Sequence, residues 1–296
     1  MKSINITILA TLFAFSVTAQ EQSIAKVHYL FTHINDTTQR ESYLRDEVVT
    51  YLGPSSSYFT SYSSARISQQ LDQQMSSPTF DGNVVIKGTG AGIKESYLID
   101  FAIPAIDIIK KVGTADFHVV GDFSTPVWQI KEDTKLIGGY TCQLATTTFK
   151  GRNYQAWFSP DIPLSYGPWK LNGLPGLILS AQDDKGEVVF EYAGFDKLEG
   201  DDRLLIALSP DVTTTTEVEI VKLEKAFKAN PSTFVQSQQA GRTQKVGPLS
   251  SGLATVYKAP GGMDSVDANK IKSVSIQKDN SFKTSAVTNN PIELTQ

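Results

Sequence analysis

Gly151-Arg-Asn-Tyr-Gln-Ala-Trp157-Phe-Ser-Pro-Asp-Ile-Pro163, running on to Gly167-Pro-Trp-Lys-Leu-Asn-Gly173-Leu-Pro-Gly-Leu-Ile178, decides the fold. A strand breaks into a Pro/Gly-studded loop, and the chain then re-enters an apolar strand. Reading outward, Leu177–Gln182 is that second strand. Asp183-Asp184-Lys185-Gly186 turns the chain into Glu187–Phe195, where Val188, Phe190 and Tyr192 alternate onto one face. Upstream, Lys150-Gly151-Arg152 is a turn, and Lys135–Phe149 is a long strand interrupted at Gly138-Gly139. Val127–Lys131 reads as a shorter strand turned at Glu132-Asp133-Thr134, preceded by Phe117–Phe123. Strands joined by short turns are antiparallel, so this half is a meander.

The N-terminal part has the same rhythm. Ser23–Thr32 and Arg40–Leu52 flank the turn cluster Asn35-Asp36-Thr37-Thr38, and Ser55–Tyr62 follows Gly53-Pro54. After Ser63, the residues Ile67, Leu71 and Met75 recur every four positions and form one stripe on a helix. The glycines at 88, 90 and 92 mark a loop without the Gly-Lys-Ser/Thr of a phosphate cradle. Pro104 interrupts Glu95–Ile109. Beyond Asp201, Val218, Val221, Leu223 and Ala226 lie near helical spacing, and residues 231–285 are polar. The expected fold is mainly β: a curved antiparallel sheet, a half-barrel, with one or two helices. Residues 1–19 read as a signal peptide, 20–210 as the main β domain, and 211–296 as a helix with a loosely ordered appendage.

The signal reading rests on Lys2, the short apolar stretch Ile6–Val17 and the small-residue site Val17-Thr18-Ala19. Cleavage is expected before Gln20, with no cysteine there for lipidation. The mature chain is expected in the periplasm or at the outer membrane, without a transmembrane span. A net charge of −4 with no basic cluster offers nucleic acid no electrostatic footprint. Cys142, the only cysteine, has no internal disulfide partner and reads as a small buried hydrophobe.

Chemistry is sparse. The three histidines, His28, His33 and His118, do not share a strand face, and neither nucleophile elbow nor metal motif appears. No cofactor and no metal is expected. Asp133, Asp183-Asp184 and Asp201-Asp202 sit at expected turns, where carboxylates usually bond their own backbone. The candidate for function is an aromatic belt: Trp157, Phe158, Tyr166 and Trp169, followed by Leu174 and Leu177. It either seals the core or lines a groove for an apolar ligand or partner. Gly173, Pro175 and Gly176 shape the loop, with Pro175-Gly176 suiting a type II turn.

Gly138-Gly-Tyr-Thr-Cys142, Gly151-Arg152, Ala156-Trp-Phe-Ser-Pro-Asp-Ile-Pro163, Gly167-Pro168, Gly173-Leu-Pro-Gly-Leu-Ile178 and Asn290-Pro-Ile-Glu-Leu294 together resemble the GLPGLI family of exported bacterial envelope proteins. The resemblance implies export in Gram-negative bacteria rich in TonB-dependent outer-membrane transporters. It implies no activity and carries over no catalytic residue. The curved meander with an early helix also looks like the half-barrel of periplasmic lipoprotein carriers such as LolA, which hold acyl chains in the concave face. Two functions follow: a non-catalytic binding protein for a lipid, another apolar ligand or a TonB-dependent transporter, or a hydrolase built on converging carboxylates.

Overall fold

The computed structural model describes residues 21–88, 92–113, 115–209, 212–234, 270–278 and 287–294. The expected signal segment and residues 89–91 of the glycine loop lie outside these. In chain order the strands are β1 (Glu21–Gln22), β2 (Ala25–His33), β3 (Leu44–Leu52), β4 (Ser56–Ser61), β5 (Asn83–Gly88), β6 (Glu95–Asp100), β7 (Ala105–Val112) and β8 (Ala115–Val120). There follow β9 (Gln129–Ile137), β10 (Tyr140–Phe149), β11 (Arg152–Ser159), β12 (Leu177–Asp183), β13 (Val188–Lys197), β14 (Leu205–Ile206), β15 (Thr213–Thr214) and β16 (Ser273–Lys278). The helices among the described residues include α1 (Ser63–Met75), α2 (Glu217–Ala229) and a single 3-10 turn at Gly200–Asp202.

Twelve strands form one sheet in the order β15-β8-β7-β6-β4-β3-β2-β13-β12-β11-β10-β9. Two antiparallel meanders, β2 to β8 and β9 to β13, are joined where β13 pairs with β2. The expected mainly-β, antiparallel architecture is what the chain adopts. One connection dictates its curvature. β8 and β9 are consecutive in the chain but ten strand spacings apart in the sheet. A flat sheet would separate them by about 48 Å at ~4.8 Å per spacing. The segment from Val120 to Gln129 can reach only about 30 Å. The sheet must therefore curl, although β15 and β9 do not pair to close it.

Alternation along each strand then feeds two layers. In β3, Val48 and Leu52 point into the concave core with Tyr29, Phe31, Phe158, Leu179 and Phe190. Val49 and Tyr51 point outward into a second cluster with Tyr62, Ala65, Leu198, Leu204 and Ile206. That cluster lies under the start of α1 and the β14 segment. A third cluster, with Phe117, Val119 and Ile220, sits under α2. Among the described residues, the outer face of β9–β12 carries no such layer.

Two local readings need correction. Glu132-Asp133-Thr134 is not a turn; β9 continues through it as a strand, with a bulge in its register against β10 between Ile130 and Thr134. The turn is at Gly138-Gly139, whose φ values of 58° and 86° match a two-residue type I′ hairpin. Charged residues tolerate a strand when it lies exposed at a sheet edge, and β9 does. Pro175-Gly176 is likewise not a type II turn. The Gly176 N–H donates to the Leu174 carbonyl at 2.8 Å, a three-residue turn centred on Pro175. Gly176 has φ +155°, and a Cβ there would lie 2.2 Å from the Ser159 carbonyl oxygen. Gly176→Ala should cost about 2–5 kcal/mol from strain and overpacking. Urea denaturation measures it, and a variant as stable as wild type would show that this packing is loose.

Candidate functional site

The aromatic belt divides between the two faces of the sheet. Phe158, Tyr166, Trp169, Leu174 and Leu177 are buried in the concave core. The β11–β12 loop carries them there by folding into the sheet's hollow. The Tyr166 hydroxyl donates to the Gly53 carbonyl, the Thr50 hydroxyl donates to the Gly167 carbonyl, and the Tyr29 hydroxyl reaches Ile178 O at 2.6 Å. The β8–β9 connection lies across the loop, with the Trp128 indole N–H donating to Asn172 O at 2.7 Å. Trp169 holds φ +57°, rare for a bulky residue, and packs against Phe149 and Tyr154. Trp157 is different. It alternates with Tyr154, Ala156 and Phe158, so it lies half-buried on the outer face. The Lys135 ammonium sits 4.2 Å from its ring centroid.

At one end of the sheet is a polar centre that strand patterning did not reveal. Arg152, at the start of β11, is sealed from solvent. Its Nη1 pairs with Asp183 Oδ2 at 2.6 Å and Glu187 Oε2 at 3.3 Å. Its Nη2 donates to Asn290 Oδ1 and to the Pro291 carbonyl, both at 2.7 Å, and its Nε donates to Ile292 O. The C-terminal segment is thus gripped by its backbone. Asn290 is buried, bonded through its amide to Ile34 O and Glu187 and through its carbonyl to His33 Nε2 at 2.7 Å. Lys170, from the inserted loop, pairs with Glu293. Asp183, read from sequence as a turn carboxylate, is fully buried and also accepts from the Glu187 and Val188 N–H groups. The sequence signal was there: Gly151-Arg152 and Asn290-Pro-Ile-Glu-Leu294 are pieces of one pattern, and they touch.

This centre is spent on structure. Burial pushes the Glu187 carboxyl up, but hydrogen bonds from Arg40, Asn290 and Arg152 outweigh it and leave the pKa below the ordinary value. Burial raises the Cys142 thiol, which keeps it protonated and unreactive. Among the described residues no group of three or more His, Cys, Asp or Glu side chains could hold a metal. No described helix is long and apolar enough to cross a membrane.

The outer face of β9–β12 holds an open depression of about 290 Å³. Gln129, Thr146, Thr148, Asn153, Gln155 and Asp184 line it, and Val127 stands exposed at its rim.

Against known proteins, residues 148–180 match a family model described as "Protein of unknown function (Porph_ging)". That stretch holds β11, the inserted loop and the start of β12. No curated protein matches the chain. Solved structures of PNGF-II in two crystal forms resemble it with TM-scores of 0.43 and 0.44, at 13% and 12% identity, over 70% and 69% of this chain. The chain spans about a third of the length of those structures.

The clamp predicts acid sensitivity. Burial holds His33 down at about 4 from an ordinary 6.5, against the pull of the Asn290 carbonyl. The unfolded chain therefore takes up a proton between pH 6.5 and 4 that the folded chain refuses. Stability is full above pH 6.5 and falls by about 3 kcal/mol towards pH 4, at 1.36 kcal/mol per unit. The lowered Glu187 pKa extends the loss as pH falls below that group's ordinary 4.5. Urea midpoints against pH should show this slope in wild type and a flatter one in His33→Gln; equal slopes would clear His33 of the role. Arg152→Met should cost about 3–5 kcal/mol at neutral pH, because it leaves two buried carboxylates uncompensated.

Proposed function

We propose that the protein is a non-catalytic, exported envelope protein of the GLPGLI kind that binds its ligand or partner on the outer face of β9–β12. The observation that carries this reading is the uneven covering of the sheet. The concave side is filled by the chain's own loop, and the outer face of the N-terminal meander is covered by α1, α2 and the β14 segment. The outer face of β9–β12 has the depression, the half-buried Trp157 and a free edge strand. An apolar ligand in the concave face, as in lipoprotein carriers, would have to displace the buried belt. Asp183, read from sequence as a turn carboxylate, converges with Glu187, and the pair neutralises Arg152.

The edge strand favours a protein partner as a second reading, of which a TonB-dependent transporter is the candidate. β9 is exposed along nearly its whole length and, among the described residues, pairs with β10 alone. Strand addition to such an edge is a common recognition mode. The type I′ turn makes Ile137 and Tyr140 a hydrogen-bonded pair, so Thr134, three positions along the register, turns its N–H away from β10. Thr134→Pro would remove that donor without breaking the ladder. Pull-down of the exported protein from native envelopes, with lipid and protein identification, tests the general reading. Loss of a captured protein with Thr134→Pro, at unchanged stability, is the result expected of strand addition. Undiminished capture would place the contact elsewhere, and recovery of neither lipid, glycan nor protein would sink the binding reading.

A further inference from the structure

The register of β9–β12 sets out a row of polar side chains. Thr146 of β10 stands opposite Gln129 of β9 and Gln155 of β11, and Gln155 stands opposite Gln182 of β12. Opposed residues share a face, so Gln129, Thr146, Gln155 and Gln182 run across four strands at one strand spacing each, about 4.8 Å. On one side of this row, Thr148 donates to Asn153 Oδ1 at 2.8 Å, and Asn153 donates to Asp184 Oδ2 at 3.0 Å. On the other side lie Leu144, Trp157 and Ser180, also in register. The depression sits over the row and its Asn153 flank.

The composition of this face points to the ligand. The outward positions that its register aligns on β10–β12 are Leu144, Thr146, Thr148, Asn153, Gln155, Trp157, Ser180 and Gln182, and none is charged; Asp184 stands just past the end of β12. Amides and hydroxyls present paired donors and acceptors without charge. That suits a neutral ligand dense in hydroxyl groups. An indole beside them gives the apolar face of a sugar ring something flat to lie on. The volume of about 290 Å³ falls at the small end of ligand sites, which start at about 300 Å³. It holds a sugar ring rather than a large cofactor. A phosphate or acidic ligand would call for cations along the row, and they stand only at its β9 margin: Lys131 donates to Gln129 Oε1 at 3.4 Å and Lys135 lies over Trp157.

We propose that the row Gln129–Thr146–Gln155–Gln182, with Trp157 at its flank, binds a neutral glycan. One ring occupies the depression, and the next displaces the Lys135 side chain to lie against Trp157. The inference rests on the reading of this face as the binding surface, and its test separates the two. The mature protein would be titrated calorimetrically with neutral tri- and tetrasaccharides of hexose and of N-acetylhexosamine, with sialylated oligosaccharides as the acidic arm. Saturable binding of a neutral oligosaccharide is expected, weakened about tenfold or more by Gln155→Ala and further by adding Gln182→Ala. Both positions are exposed, so folding is retained and checked by urea midpoint. Preference for the sialylated arm, binding indifferent to both glutamine variants, or no saturable sugar binding would each overturn the proposal. In the last case an envelope protein still captured by the wild type would leave the binding reading standing without a glycan.

Discussion

A guanidinium cut off from water must find acceptors for its N–H groups, and one end of this fold supplies them from three separate stretches of chain. Arg152 stands at the head of β11, Asp183 and Glu187 bracket the β12–β13 turn, and Asn290, Pro291 and Ile292 come from the far C-terminus. Removing the arginine would leave two carboxylates without their counter-charge. Such a centre contributes little net stability compared with a hydrophobic replacement, but it tolerates only one arrangement. It fixes where the tail lies, and the tail in turn holds the β2–β3 turn through Asn35, Asp36 and Thr37. Lys170 ties the inserted loop to the same tail through Glu293. The end of the sheet and the filling of its hollow are thereby locked together.

The second constraint is geometric. A sheet whose consecutive strands β8 and β9 lie at opposite sides has to curl, and a curled sheet has a hollow. Leaving that hollow empty would forfeit dispersion contacts along every inward side chain. The β11–β12 loop fills it with Tyr166, Trp169, Leu171 and Leu174. Its prolines cannot join a ladder, and its backbone groups bond within the loop, to the start of β12, to Thr50 of β3 and to Trp128 of the β8–β9 connection. The loop that looks most like a binding element in sequence is thus largely the core of the domain, and the face left uncovered by the described residues is on the other side of the sheet.

Much of this was legible in the residues. The four-residue spacing of Ile67, Leu71 and Met75 placed α1 at its observed bounds, whereas Gly138-Gly139, read as an interruption within one strand, is the hairpin turn between β9 and β10. The alternation of Val188 and Phe190 gave the buried face of β13. What local pattern could not carry was sheet order. Nothing in the neighbourhood of β13 says that it pairs with β2, because that register joins residues over 150 positions apart. Asp183 shows the same limit at the site. A turn carboxylate and a buried counter-ion read alike in sequence, and only the distant Arg152 tells them apart. Trp157 and Phe158, adjacent in one belt, part company because a strand sends neighbours to opposite faces.

The uncharged outer face is the step that ties fold to recognition. A solvent-facing sheet stays soluble most simply with lysines and glutamates, and β9 has them in Lys131, Glu132, Asp133 and Lys135. Strands β10 to β12 do not. Aligned amides on exposed strands are themselves a hazard, since side-chain amide ladders stabilise stacking between chains. Solubility would be served better by charge at Gln155 and Gln182, and nothing in the packing forbids it, because both are exposed. The neutral row is therefore not required by the core, by the sheet's curl or by solubility. A ligand that needs uncharged donors and acceptors at strand spacing would require it. The charged edge of β9 protects that row from other copies of the chain and leaves its face open.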